Sequence, residues 1–164
     1  MIRIECETGM TVEIPGESTE GANISGQNLH RALLGRANLK GANLSNSDLR
    51  GAWLEDADLT AANLSDSRLM TAYLGRARLV RANLQRAGMT GADLKAADLE
   101  AANLLDADVA GVVFESARLV GADMRCRRLD MAKLKGALAG ASTRWPDGFD
   151  PAAHGVEAIS TEES

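Results

Sequence analysis

Three kinds of residue in this 164-residue chain carry usable chemistry: carboxylates such as Asp93, Asp98 and Asp108, two histidines, His30 and His154, and two cysteines, Cys6 and Cys126. Neighbouring carboxylates do general acid–base work when a water-excluding pocket drives their pKa values apart. Histidine and cysteine hold a metal when their spacing gathers three or four of them. Neither condition is met. The carboxylates recur at multiples of five residues in a repeated pattern, so they face outward from a convex surface with no pocket. The histidines and cysteines have no ligand spacing with one another, and no CxxC occurs. No catalytic, metal-binding or cofactor-binding residue is expected, and the chain is not read as an enzyme. The arginine cluster Arg76, Arg78, Arg81 and Arg86 lacks the dense basic stripe and interleaved aromatics of a nucleic-acid site, so direct nucleic-acid binding is not expected either.

The element that positions all these residues is legible in "ADLKAADLEAANLLDADVAG", residues 92–111. Counting in fives from Ile24 to Leu134 gives 23 positions, of which 18 are Leu and the rest Ile24, Met89, Val109, Phe114 and Met124. Two residues before each stands a second restricted position, Ala in 18 cases and Ser at Ser47 and Ser67, with Gln27, Val112 and Arg127 as exceptions. An α-helix turns about 100° per residue, so a five-residue period sprays its leucines around the axis. A straight strand sends successive leucines to opposite faces, because its side chains alternate. The pattern closes only if the chain turns a corner once per pentad, with the Leu and the Ala inward and the other three residues in water. Low aromatic content, 3%, fits a narrow interior of small and medium side chains.

The stretches "ANLKG", "ANLSN", "ADLTA", "ADLKA" and "ADLEA" resemble the pentapeptide-repeat family, whose signature is A(D/N)LXX. The resemblance covers residues 22–141 and implies an all-β fold: a right-handed quadrilateral β-helix with four pentads per coil and about six coils, each stabilised by stacking on its neighbours. It also implies two classes of role. One is a rigid protein-interaction module. The other belongs to members of the Qnr type, which mimic B-form DNA and bind DNA gyrase, protecting it from quinolones. Mimicry of DNA needs an acidic rod, yet residues 22–141 hold 16 Lys and Arg against 13 Asp and Glu, a net of +3. The overall charge of −5 comes from the two ends.

With twenty residues per coil, the outward residues just before each Leu fall into four columns. One is an amide ladder, Asn23, Asn43, Asn63, Asn83, Asn103 and Asp123, suited to coil-to-coil hydrogen bonds. A second is polar: Asn28, Asp48, Arg68, Gly88, Asp108 and Arg128. A fourth alternates in charge through Asn38, Asp58, Arg78, Asp98 and Arg118, which fixes register and absorbs part of the arginine cluster. The third, Leu33, Trp53, Tyr73, Asp93, Val113 and Lys133, places large apolar residues where no core buries them. Leu33, Trp53, Tyr73 and Val113 are therefore the candidate partner-binding residues, toward an unidentified protein or a second copy in a homodimer, unless an arm of the chain folds back over them.

Open strand edges at both ends need caps. Residues 1–21 read as a capping hairpin, 142–156 with Trp145 and Phe149 as a C-terminal cap, and 157–164 as a disordered tail. Gln27 and Arg127 place polar groups in interior corners, which suggests irregular ends. The start has no signal-peptide pattern and no segment is long and apolar enough for a membrane span, so a soluble, cytoplasmic protein with two unrelated thiols and no membrane contact is expected.

Overall fold

Each pentad is bent by the same local device. After the buried Leu29, for example, Ala32 N donates to Leu29 O at 3.0 Å across a four-residue turn whose third residue, Arg31, has φ 57°. Positive φ at that place is the signature of a type II turn and is normally left to glycine. Here the residue two past each inward position has positive φ at every pentad from Gly21 to Gly121, and at fourteen of these corners it is not glycine. Thr71, at φ 56°, is β-branched and the most strained of them.

The computed structural model describes residues 1–160. Between corners the segments are so short that each contributes one rung, and each rung pairs in parallel with the residue twenty further on: Asn43 with Asn63, Asp48 with Arg68, Trp53 with Tyr73, Asp58 with Arg78. The backbone bonds run from coil to coil, as where Asn43 N donates to Ala22 O at 2.9 Å and Leu44 N to Asn63 O at 2.7 Å. This is an all-β repeat fold with four walls, named here in chain order from those containing Asn23, Asn28, Leu33 and Asn38. The inward Leu and Ala residues from Ile24 to Leu134 form one continuous core. Inward Ser47 and Ser67 satisfy their hydroxyls by donating to Ile24 O at 2.9 Å and Leu64 O at 2.6 Å.

Two expectations about interior corners are corrected. Gln27 is exposed. Arg127 is exposed as well, because the register slips by one residue: Asp108 pairs with Arg127, whereas Asp123 pairs with Arg144 and Val113 with Lys133. Arg127, not Arg128, is therefore the rung of the second wall. Cys126 takes the inward place, since a small apolar thiol fits a dry corner and a guanidinium does not. The slack is taken up by Arg128 at φ 58° and a 3-10 turn over Leu129–Met131.

At the first end, β1 (Ile2–Glu5) and β2 (Thr11–Ile14) form an antiparallel hairpin that buries Ile4, Ile14 and Cys6 against the first coil. At the other end β3 (Leu138–Ala139) pairs in parallel with β4 (Glu157–Ala158). Residues 157–159, expected to be disordered, thus continue the fourth wall, with Ile159 N donating to Ala139 O at 2.9 Å. The open backbone edge of the last coil recruits them despite their polar composition. The remainder of that expected tail, 161–164, lies outside the described residues.

Candidate functional site

The residues with usable chemistry are held apart by the fold. Asp93, Asp98 and Asp108 stand on the third, fourth and second walls, and each spends a carboxylate oxygen on a backbone N–H two residues on: Lys95 N at 2.9 Å, Glu100 N at 3.2 Å and Ala110 N at 3.4 Å. The asparagines do the same, as where Ser65 N donates to Asn63 Oδ1 at 3.1 Å. This local bond explains why Asp and Asn recur before Leu: both present a short acceptor that closes a turn on its own backbone.

His30 lies in the first coil, while His154 lies in the segment between the Arg144 rung and β4, stacked on Phe149 at 4.4 Å, with Phe149 in turn 5.4 Å from Trp145. Burial pushes the Cys126 thiol up to about 12, and its Sγ donates to Met124 O at 3.2 Å. Burial, with Glu5 adding to it, also raises Cys6. Neither thiol is poised as a nucleophile. Among the described residues no cluster of His, Cys, Asp and Glu could hold a metal ion, and no helix is long and apolar enough to cross a membrane.

Charge on the walls is largely consumed by pairing from coil to coil. Arg76 grips Asp56 with Nε at 2.8 Å and Nη2 at 2.9 Å, and Arg86 grips Asp66 at 2.8 and 2.7 Å. Arg78 reaches Asp58 at 3.8 Å, and Arg128 pairs with Asp108. Arg118 turns aside from Asp98 to Glu100, at 3.0 Å. The side-chain hydrogen bonds from Arg76, Arg86 and Arg128 hold the carboxyls of Asp56, Asp66 and Asp108 below their ordinary range. Three of the four clustered arginines are thereby structural.

The third wall differs. Its ladder places Leu33, Trp53, Tyr73, Asp93, Val113 and Lys133 in that order. The rings of Trp53 and Tyr73 stack with centroids 4.4 Å apart and planes 17° apart. Leu33 is 51% exposed and Tyr73 40%, while Trp53 is half-buried. The indole Nε1 of Trp53 is buried with no acceptor within hydrogen-bond distance. Val113 is half-buried and separated from the aromatic pair by Asp93, so the four candidate residues share a wall but only three are contiguous. Gly35 and Gly75 keep the adjacent edge low; beside Gly75 the nearest atom to an added Cβ is Glu55 Oε1 at 3.8 Å.

No described arm covers this wall. β1 meets it only at its end, where Leu33 N donates to Glu5 O at 2.7 Å, and the C-terminal strand lies on the fourth wall. Sequence reasoning found the stack from the twenty-residue spacing. It missed the orphaned indole and the slip at Cys126, although a small apolar residue inside "RCRR" marks the latter.

The family described as pentapeptide repeats matches residues 20–52, 37–76, 52–91, 62–100 and 92–125. The chain is a pentapeptide-repeat protein. Among solved structures, this pentapeptide-repeat protein is similar to HetL, described as involved in heterocyst differentiation regulation in the cyanobacterium Nostoc sp. strain PCC 7120. Identity there is 29%, coverage 87% of this chain and 78% of that one, and the TM-score 0.51. A pentapeptide-repeat protein of the Arabidopsis thaliana thylakoid lumen shares 28% identity over 65% of this chain and 67% of that one, with a TM-score of 0.41. Trypsin-treated QnrB1, a plasmid-mediated fluoroquinolone resistance protein, shares 16% over 85% and 83%, with a TM-score of 0.43. No curated protein sequence is significantly similar to the chain.

Proposed function

We propose that this pentapeptide-repeat protein is a non-catalytic, rigid interaction module whose contact surface is the third wall, centred on Leu33, Trp53 and Tyr73 and extending to Val113. The supporting observation is the stacked, partly exposed aromatic pair, beside which Gly35 and Gly75 keep the adjacent edge low. Trp and Tyr in the middle of a flat patch dominate binding energy, often at 2 kcal/mol or more each. The rod is read as about six right-handed coils, closed at one end by residues 1–21 and at the other by the segment holding Trp145 and Phe149. A reducing cytoplasm suits two thiols that are buried far from each other.

Replacing Trp53 and Tyr73 together by Ala tests the reading. Association, followed by sedimentation or by pull-down, falls more than a hundredfold, because two losses of about 2 kcal/mol compound. The thermal transition stays close to that of the parent, since neither ring lies in the core. A large loss of stability with association intact would remove the contact surface and leave only the fold.

The gyrase-binding alternative requires an acidic rod, whereas residues 22–141 carry +3 and several wall carboxylates are engaged by arginine. In a supercoiling assay the protein accordingly neither inhibits DNA gyrase strongly nor rescues it from a fluoroquinolone. Strong activity of either kind would put that role in place of the present one.

A further inference from the structure

The third wall has a direction. At its first end β1 sets Glu5 beside Leu33, and the Glu5 carboxylate, which accepts Thr11 Oγ1 at 2.9 Å, makes no ion pair with a cation among the described residues. The apolar rungs follow. Toward the other end stand Val113 and Lys133, whose ammonium likewise has no carboxylate partner among the described residues. The order along the wall is therefore acid, large apolar, small apolar, base.

We propose that this wall docks against the same wall of a second copy of the chain, with the two rods antiparallel. The inference rests on the third wall being the contact surface and names its occupant. A two-fold axis lying in the interface, across the rods and between the Tyr73 and Asp93 rungs, maps rung onto rung at about 4.8 Å spacing. Trp53 then meets Val113 of the second copy, a large side chain against a small one. The Tyr73 hydroxyl donates to the second copy's Asp93, whose other role is only to close its own turn. Leu33 meets the stem of Lys133, and the ammonium reaches past it to Glu5, so the two free charges neutralise each other at both ends of the interface. On the adjacent edge, the bare backbone at Gly75 receives Lys95. Glu55 faces Glu115 there, at the rim where both carboxylates keep their water. Each contact occurs twice, and Val113, which a one-sided partner would leave isolated from the aromatic pair, acquires a use.

Sedimentation of the full chain from micromolar to hundreds of micromolar concentration tests this. The parent protein forms a concentration-dependent dimer. Glu5→Lys and Lys133→Glu, each alone, place like charges together and weaken the dimer at least tenfold. Mixing the two variants in equal amounts restores it, because the heterodimer recovers both opposite-charge contacts. Trp53→Cys mixed with Val113→Cys cross-links under mild oxidation, whereas Trp53→Cys by itself does not. Thermal transitions of the charge variants matching the parent exclude misfolding as the cause. A parent chain that stays monomeric throughout, or a mixture that fails to regain the dimer, overturns the proposal. If the monomer nevertheless loses a captured partner on Trp53→Ala and Tyr73→Ala, only the self-docking falls; if association is unaffected by that pair as well, the contact surface falls with it.

Discussion

The first and third walls stand on the same backbone, one rung per coil at matched positions, and differ only in what they present. On the first, Asn43, Asn63 and Asn83 each donate Nδ2 to the Asn one coil below at 3.2–3.3 Å, while their oxygens accept the backbone N–H two residues on. That wall closes its hydrogen bonds on itself. The third wall instead exposes a ring stack and buries an indole N–H without an acceptor. The difference teaches that the solenoid is specified by its interior and its coil-to-coil backbone bonds: Leu33, Trp53 and Tyr73 stand where the first wall has its turn-closing amides, and the coil forms there without them.

Four experiments press on that distinction. The largest effect belongs to what both walls share: Leu84→Asp puts a carboxylate into a fully buried position, and the chain should yield no soluble folded protein. A soluble product with the parent's thermal transition would mean that the interior register is misassigned. Next, Asn63→Ala removes one turn-closing bond and two ladder bonds from the first wall, each contributing about 1 kcal/mol, so denaturant unfolding should show a loss of about 3 kcal/mol. On the third wall the sign reverses. Trp53→Phe keeps a stacked ring but deletes the orphaned donor, and a gain of about 1 kcal/mol is expected in the same measurement; a loss as large as that of Asn63→Ala would erase the contrast between the walls.

The smallest effect separates an amide wall from a carboxylate wall by pH. The Asp48 carboxyl is held low by the hydrogen bond from Arg50, and that of Asp108 by the one from Arg128. A carboxyl whose folded pKa is depressed contributes stability that is fully present above its unfolded value, about 3.9, and is lost as pH falls through the folded value. Amides do not titrate. Between about pH 4 and 2, hydrogen exchange at Arg50 and Ala110 N–H, which rest on Asp48 and Asp108, should therefore accelerate before exchange at Ser45 and Ser65, which rest on Asn43 and Asn63. Simultaneous acceleration on both walls would show that the carboxylates are dispensable to their turns.

Much of this was legible beforehand. The inward Leu and Ala positions announce themselves because neither helix nor straight strand tolerates a period of five, and the twenty-residue columns follow from the four pentads per coil that the family resemblance implies. The left-handed corners were not legible, since Arg, Ala, Asp and Thr occupy them as readily as Gly does, and their strain is carried by the stacked backbone rather than by residue type. The slip at Cys126 was hidden by two adjacent arginines, either of which fits an outward rung. The pairing of Glu157–Ala158 was hidden because its stabilisation comes from the edge it joins and not from its own side chains. The third wall was visible by spacing alone, but its bare indole needed the ring stack to be seen.

The twenty-residue offset of the backbone bonds also fixes how the molecule yields to force. Those bonds lie along the rod, so tension applied between the two ends loads them in line, and a terminal coil can open without its inner neighbours opening with it. Each coil released pays out twenty residues, about 66–72 Å of extended chain at 3.3–3.6 Å per residue. The rod is in this sense a tether that lengthens in equal increments, a mechanical fuse rather than a spring.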